Sequence, residues 1–249
     1  MEIAEHIAHL QDNGERLARA ALAAGLDAPV PSCPGWDVRA LVRHIGGVHR
    51  WATLYVAGGR MTPTTAEEDA AIFSAVGDGE LLAWFGRGHS GLVTALRESD
   101  ADLLCWTFLA APSPLAFWAR RQAHETAIHR VDAEIAAGWS VACPPDLAAD
   151  GIDELLCGFL SRPRGRLVSD PPVTLSVWTD DTDDGWTMSI EPDRRVVSRD
   201  VQGDADCRLS GPASDLYLLL WNRQAGDDSV RVEGDRRVLD LWRERAAIR

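Results

Sequence analysis

The sequence predicts two domains of different class: a bundle of four long helices at residues 1–142, and a smaller α+β domain with a mainly antiparallel sheet at residues 143–249. Two observations support this prediction. Up to residue 138, apolar residues recur at intervals of three and four over long segments, which is the period of a helix. Beyond it, short runs alternate apolar and polar residues between turn residues, which is the period of a strand.

The first two long helices are separated by a proline-rich loop. Residues 3–24 carry an apolar stripe at helical intervals, whereas residues 25–36 hold three prolines that a helix could not accommodate. Asp37 is then placed to cap the second helix. That helix is apolar on two sides and His44 lies on one of them, so its imidazole is expected to need a partner. His49 is expected to point away from His44.

A polar insert at residues 60–79 precedes the third long helix and contains a predicted short helix at residues 66–76. The third long helix is predicted at residues 81–98, where apolar residues again recur at helical spacing. His89 lies on its apolar side and is a spare candidate ligand. Four long helices joined in this way indicate a bundle, a fold that builds metal sites from residues on facing helices.

The fourth long helix is predicted at residues 113–138, between a Ser-Pro start and a glycine stop. Glu125 and His129 lie four residues apart on it and therefore share one face. A carboxylate and an imidazole at this spacing could bind one metal ion. For the pair alone, a surface Glu–His contact is the better explanation, so a third ligand from another helix must decide between the two.

The C-terminal domain is predicted to open with a helix at residues 146–160 and to continue with a hairpin of residues 173–178 and 186–190 around the turn DDTDDG. The other predicted elements are strands at residues 196–201, 205–209 and 230–235, a helix after Gly211-Pro212, and a closing helix at residues 237–245.

Composition excludes several classes of function. The formal net charge is −13 and all 25 basic residues are arginine, so we expect no basic face for nucleic-acid binding. No run of about 18 apolar residues occurs, so no membrane span is predicted. The five cysteines are odd in number and lack CxxC spacing, which is typical of reduced cytosolic thiols. With an acidic N-terminus unlike a signal peptide and no heptad seam, we expect a soluble cytoplasmic monomer.

Two N-terminal segments, PSCPGWDVRALVRHIGGVHRW and RQAHETAIHRVDAE, resemble the mycothiol-dependent maleylpyruvate isomerase family. The resemblance continues through SGPASDLYLLLWNR and VRVEGD and so covers nearly the whole chain. It implies a DinB-like four-helix bundle followed by a sterol-carrier-like C-terminal domain.

The resemblance also implies a set of site residues and cofactors. The family's metal ligands fall on His44, Glu125 and His129, and its C-terminal arginine, which handles substrate carboxylates, falls on Arg223. The implied metal is divalent, usually zinc, and the implied thiol is mycothiol. Mycothiol would place the source among actinobacteria, which agrees with the arginine-only, alanine-rich composition.

The ligand types agree with this chemistry. Two imidazoles and one carboxylate leave a fourth zinc position open, which is the pattern of catalytic rather than structural zinc. A thiol at that position loses its proton and becomes a nucleophile. Addition to an unsaturated cis diacid, rotation and elimination would isomerise it, and addition alone to an electrophile would be an S-transfer.

Neighbouring residues are candidates for support. Asp132 is three residues after His129 and could accept from its second ring nitrogen, and Arg121 is four residues before Glu125 and could orient the carboxylate. Trp51 and Trp118 are expected to wall the pocket. His124 is expected to be a structural or surface residue.

Two alternatives stay open from the sequence. The same ligand set suits iron in non-haem oxygenases. The chain could instead be a non-catalytic metal-binding or ligand-binding regulatory protein. Zinc-dependent regulators typically add closely spaced cysteine ligands, however, and no cysteine is near the candidate ligands in sequence.

Overall fold

The computed structural model describes residues 1–74, 76–163, 165–201, 203–223 and 229–246. The chain divides into two compact units, residues 1–141 and residues 142–249. In the described ranges, no helix is both long enough and apolar enough to span a bilayer. The five cysteines, all of them within these ranges, form no disulfide.

The first unit is helical, and the predicted four-helix bundle is confirmed. Its helices are α1 Ile3–Ala24, α2 Val38–Val56, α3 Ala66–Ile72, α4 Asp78–Glu98 and α5 Pro114–Ala136. The long helices α1, α2, α4 and α5 form the bundle, in which α1 packs chiefly against α5 and α2 packs chiefly against α4. The short helix α3 buries none of its side chains.

Side-chain caps fix where the two helices that carry the candidate ligands begin. The Asp37 carboxylate accepts a hydrogen bond from the Ala40 amide at 2.7 Å at the start of α2. The Ser113 hydroxyl accepts one from the Ala116 amide at 3.1 Å at the start of α5. Beyond the end of α5, Gly138 has a φ of +72°, which glycine adopts readily. These are the boundaries that the sequence predicts.

The insert before α4 differs from the prediction. Helix α3 ends at Ile72, four residues earlier than predicted, and the Ser74 hydroxyl donates to the Ala71 carbonyl at 2.6 Å just beyond it. Helix α4 begins at Asp78, three residues earlier than predicted. The Asp78 carboxylate lies in the first turn, where the helix dipole favours it, and pairs with Arg39 at 3.0 Å. Both predictions rest on the spacing of apolar residues, and this spacing cannot locate helix ends that are made of polar residues.

The second unit is α+β with a five-stranded sheet. Its helices are α6 Pro145–Asp153, which continues as a π-helical segment Glu154–Leu160, α7 Ala213–Leu220 and α8 Arg236–Arg245. Its strands are β1 Val173–Thr179, β2 Gly185–Ile190, β3 Arg195–Ser198, β4 Cys207–Gly211 and β5 Arg231–Gly234. The strand order is β3-β2-β1-β4-β5.

Three of the four strand pairings are antiparallel, so the predicted mainly antiparallel sheet is confirmed. The hairpin of β1 and β2 is the predicted one. The central pairing of β1 with β4 is parallel, with Val177 opposite Leu209. Strand β3 is shorter than predicted, and β4 lies two residues further along the chain than predicted.

Candidate metal centre

Helices α2 and α5 bring the three predicted ligands together. His44 comes from α2, and Glu125 and His129 come from successive turns of α5. His44 Nε2 lies 3.3 Å from Glu125 Oε1, and His129 Nε2 lies 3.3 Å from the same oxygen. One ligand atom from each side chain lies within 4.8 Å of the other two. The Glu125–His129 pair therefore has a third member, His44, from a facing helix.

The centre is open on one side. The His129 side chain is 10% exposed, whereas that of His44 is 33% exposed and that of Glu125 is 24% exposed. The sequence predicts a buried face for His44, and the structure instead places this ring at the edge of the bundle. A small molecule could therefore approach the ligand atoms past His44 without unfolding of the helices.

Two side chains of α5 orient the ligands, at the positions that helix spacing predicts. Asp132 Oδ2 lies 2.9 Å from His129 Nδ1, and Arg121 Nη2 donates to Glu125 Oε2 at 3.0 Å. A hydrogen bond at Nδ1 leaves Nε2 of a neutral imidazole as an acceptor, here directed at the centre. The Arg121 bond likewise leaves Glu125 Oε1 facing both histidines.

The loop between α1 and α2 also contacts Asp132, which the sequence reasoning missed. The Ser32 hydroxyl donates to Asp132 Oδ1 at 2.5 Å, and the Cys33 thiol donates to Asp132 Oδ2 at 3.5 Å. The Asp132 side chain is fully buried, so its carboxylate depends on these donors rather than on water. A signal was present, because both donors sit next to the Pro-Gly-Trp segment on which the family resemblance rests.

Two aromatic rings pack against the ligand histidines. The Trp36 ring stacks on His129 with centroids 6.2 Å apart and planes at 15°, and it lies 5.1 Å from His44. The centroid of the Phe73 ring lies 6.3 Å from that of His44. Phe73 follows α3, where the sequence predicted a longer helix, so its place beside His44 was not foreseen.

The two tryptophans predicted as pocket walls pack elsewhere in the first unit. Trp118 is fully buried and stacks on Tyr55 with centroids 4.9 Å apart. Trp51 makes an edge contact with Trp118 at 5.1 Å. Each lies two helical turns from the ligands on its own helix, and Trp118 belongs to the core cluster against which the partly buried Trp51 packs.

The electrostatics of the cluster hold a proton at neutral pH. Burial raises the pKa of the Glu125 carboxyl, but hydrogen bonds with His129 and His44 outweigh burial and hold that pKa well below its ordinary value. Burial lowers the pKa of His129, but hydrogen bonds with Asp132 and Glu125 overcome burial and raise the pKa to about 9. A metal ion bound at this centre would therefore replace the His129 proton.

Three other histidines are tied into the core. His49 Nε2 lies 2.9 Å from the Thr126 hydroxyl, and His89 Nε2 lies 3.1 Å from the Leu10 carbonyl. Burial lowers the pKa of both imidazoles. His124 is fully buried. The spare candidate His89 is thus engaged away from the cluster.

The donor set fits a divalent metal of the zinc or iron class. Two imidazole nitrogens and one carboxylate oxygen converge, and the outer hydrogen bonds on His129 and Glu125 fix which atoms face the centre. No fourth protein ligand joins the group among the described residues. Such a three-ligand set leaves a coordination position for a substrate.

Arg223 lies in the second unit, three residues after the end of α7. It is half-buried; its amide donates to the Leu218 carbonyl at 2.8 Å and its Nη1 donates to the Trp221 carbonyl at 2.9 Å. These local bonds hold the backbone of Arg223 to the end of α7.

A helical bundle with a His–His–Glu cluster between two of its helices, followed in the same chain by an α+β unit, defines a class of two-domain proteins with a candidate metal centre in the bundle. The chain belongs to the mycothiol maleylpyruvate isomerase family. The family model described as "Mycothiol maleylpyruvate isomerase N-terminal domain" matches residues 7–134, and the model described as "MDMPI C-terminal domain" matches residues 146–241.

Solved structures extend the similarity to the whole fold. A crystal structure of a mycothiol-dependent maleylpyruvate isomerase, in a histidine-to-alanine variant, matches with a TM-score of 0.63 at 15% identity, covering 94% of this chain and 93% of that one. A second crystal structure of a protein of that name matches with a TM-score of 0.62 at the same identity and coverage. Comparison with curated protein sequences gives no match.

Proposed function

We propose that the chain is a metal-dependent enzyme that uses mycothiol to attack an electrophilic small molecule, either as a cis–trans isomerase of an unsaturated diacid or as a thiol S-transferase. The observation that carries the proposal is the convergence of ligand atoms from His44, Glu125 and His129 within 4.8 Å of one another. These three residues would hold the metal, with zinc as the first choice and iron as the alternative. Membership of a family named for mycothiol and maleylpyruvate supports the choice of thiol and substrate class.

The bound metal would supply Lewis acidity that lowers the pKa of a substrate thiol. The remaining work falls to the chain. Asp132 accepts from Nδ1 of His129, so in the neutral imidazole the lone pair lies on Nε2, the atom that faces the centre. The Trp36 and Phe73 rings flank the ligand histidines. Arg223 is proposed as the catalytic residue that pairs with a substrate carboxylate, because a guanidinium offers a planar fork to it.

The isomerisation needs no oxidant. The thiolate sulfur forms a C–S bond to one carbon of a double bond conjugated to a carbonyl, and the π electron pair moves to the carbonyl oxygen. Rotation about the resulting single bond follows. The electron pair then returns, the double bond re-forms in the trans geometry, and the C–S bond breaks to release the thiolate. If a proton instead ends the sequence at carbon, the product is the S-conjugate.

We propose a cytoplasmic monomer from an actinobacterium, with small molecules rather than nucleic acid or membrane as partners. The acidic net charge, the absence of disulfides among the five cysteines and the use of arginine for every basic residue support this localisation, choice of partners and source.

Metal content tests the ligand assignment. Purified protein should hold about one divalent ion per chain, the stoichiometry of a three-ligand catalytic site. The variants His44→Ala and His129→Ala should lose it, whereas His9→Ala, a histidine of α1 outside the cluster, should retain it. Retention of a full equivalent in both ligand variants would contradict the assignment. Growth without added zinc, followed by metal analysis, separates zinc from iron.

Turnover tests the chemistry. Metal-loaded protein should isomerise a maleyl-type diacid or conjugate an electrophile only when mycothiol is present. Arg223→Ala should lower turnover of a carboxylate substrate and leave metal content unchanged. Metal binding without any mycothiol-dependent turnover, across a panel of diacids and electrophiles, would favour the non-catalytic binding protein instead.

A further inference from the structure

The loop between α1 and α2 is a closed, hydrogen-bonded structure. The Val30 amide donates to the Trp36 carbonyl at 2.9 Å, and Pro29 and Asp37 form an antiparallel bridge. Gly35 turns the chain with a φ of +88°, and Val30 is 2% exposed and anchors the loop in the core. The tip at Ser32 is therefore fixed relative to the bundle rather than a free surface segment.

The two oxygens of Asp132 are shared between this loop and a candidate ligand. Oδ1 accepts from the Ser32 hydroxyl at 2.5 Å, and Oδ2 lies 2.9 Å from His129 Nδ1. The Asp132 side chain is fully buried. A continuous line of hydrogen bonds thus runs from a loop residue, through a buried carboxylate, to the ring whose Nε2 faces the centre.

The second hydrogen bond matters because of the freedom of a carboxylate. The terminal torsion of an aspartate is broad, and the contacts of Asp132 with His129 and with the Cys33 thiol both fall on Oδ2, so they constrain the rotation of the carboxylate less than a donor on Oδ1 does. A donor on the opposite oxygen fixes the plane of the group. Trp36, from the same loop, stacks on the His129 ring and limits its tilt. The loop therefore constrains His129 at both its Nδ1 and its face.

We propose that Ser32 is a positioning residue for the metal centre, acting through Asp132 on the orientation of His129. The proposal rests on the proposed function in that the centre is taken to bind a divalent ion. Ser32 touches neither substrate nor ligand atoms in this role. Its effect is on the geometry and the affinity with which the ion is bound. The residues that position His129 therefore include one outside α5, 100 positions from Asp132 in sequence.

The test uses Co²⁺ alone as probe, because the positions of its visible absorption bands report the geometry of the ligands around the bound ion. Ser32→Ala should weaken Co²⁺ affinity about 10- to 100-fold and alter the absorption bands. Ser32→Thr keeps the hydroxyl and should restore both. Ser99→Ala is the matched control, because it removes a hydroxyl that donates to the Ala95 carbonyl at 2.7 Å outside the centre, and it should bind as wild type does.

A double-mutant cycle separates positioning from general damage. If Ser32 acts through Asp132, then Ser32→Ala should have little further effect on Co²⁺ affinity in an Asp132→Asn background. Additive losses would overturn the proposal, as would a Ser32→Ala protein with wild-type affinity and spectrum. Asp132→Asn alone should already change the absorption spectrum. If Ser32→Ala folds poorly, Ser32→Gly takes its place in the cycle, because it also removes the hydroxyl.

The same measurement distinguishes the two proposals. Wild-type protein that binds no Co²⁺ would overturn the metal-dependent function and the positioning role together. Wild-type binding with no dependence on Ser32 would overturn the positioning role alone.

Discussion

Helix α5 carries two ionic clusters that look alike in sequence and differ in chemistry, one partly exposed and the other buried. The first joins Glu125 and His129 to His44 of α2. The second joins Arg130 to Glu134 at 2.6 Å, four residues apart on the same helix. Both use the same helical spacing, and both receive a contact from another helix.

The difference lies in the cation. In the second cluster Glu134 accepts from Arg130 on one oxygen and from Arg16 of α1 on the other at 3.1 Å, and Arg130 Nε donates to Asn13 Oδ1 at 3.0 Å. Guanidinium groups do not lose their protons, so this cluster is closed and permanent. In the first cluster the partners of Glu125 Oε1 are imidazoles, whose lone pairs become available when they deprotonate. Glu125 also accepts from an arginine, Arg121, but on Oε2. Spacing alone therefore does not separate a permanent ion-pair cluster from a candidate binding site, whereas a carboxylate oxygen that faces imidazoles does.

The largest expected effect comes from opening the closed cluster. Arg130→Met should lower the free energy of unfolding by about 3–5 kcal/mol, because it leaves the buried Glu134 without its buried partner. Chemical denaturation measures this, and the metal content of the folded protein should not change. The matched control is Arg16→Met, which removes the one-third exposed partner of the same carboxylate and should cost at most about 1 kcal/mol. Equal and small losses of unfolding free energy in the two variants would show that the buried Arg130–Glu134 pair does not stabilise the fold in this way.

A smaller effect, with a defined pH dependence, is expected from the first cluster in metal-free protein. The pKa of His129 is raised from 6.5 to about 9, so its protonation stabilises the fold fully below pH 6.5, and that stabilisation is lost as the pH rises through about 9. The pKa of Glu125 is depressed, so its contribution is present above pH 4.5 and is lost only on acidification. Thermal melting from pH 6.5 to 9.5 should therefore show a falling melting temperature, and metal-loaded protein should lack this decline.

The proton on His129 can also be counted when the metal binds. Binding of Zn²⁺ at pH 7.5 should release about one proton from His129, whereas Glu125 is already ionised and releases none. Calorimetry in buffers of different ionisation enthalpy measures the number. Arg130→Met should give the same count, because the closed cluster holds no exchangeable proton. A release of zero would contradict a protonated His129 that gives up its proton to the metal.

The smallest effect is expected from a change that belongs to neither cluster. Ser113→Ala removes the hydroxyl that caps α5 and should cost about 1 kcal/mol of stability. Because the cap lies upstream of both clusters, the loss should be the same with and without metal. A larger loss in metal-loaded protein would show that the start of α5 is coupled to the centre.

Features built within one helix were predictable from sequence. The start of α5, the shared face of Glu125 and His129, and the contact of Asp132 with His129 all follow from helical spacing and a Ser-Pro start. The third member, His44, needed the family resemblance, because nothing in periodicity links two helices. The four-helix bundle and the mainly antiparallel sheet likewise followed from runs of regular period.

Contacts made by irregular segments were not predictable. Ser32 reaches Asp132 across 100 residues from a loop without periodicity. Phe73 was assigned to a helix that in fact ends before it, and so its contact with His44 was hidden. The parallel pairing of β1 with β4 joins strands that are not consecutive, and the apolar alternation of a strand does not name its neighbour.

The packing of α1 against α5 has a consequence for the order in which the first unit can be completed during synthesis. Asn13 and Arg130 are bonded across 117 residues, so the stripe of α1 that faces α5 has no final partner until most of the domain has left the ribosome. At translation rates of roughly 5–20 residues per second, that interval is about 6 to 23 s. During that interval α1 can already pack against α4, which is synthesised before α5, but the part of α1 that faces α5 stays uncovered.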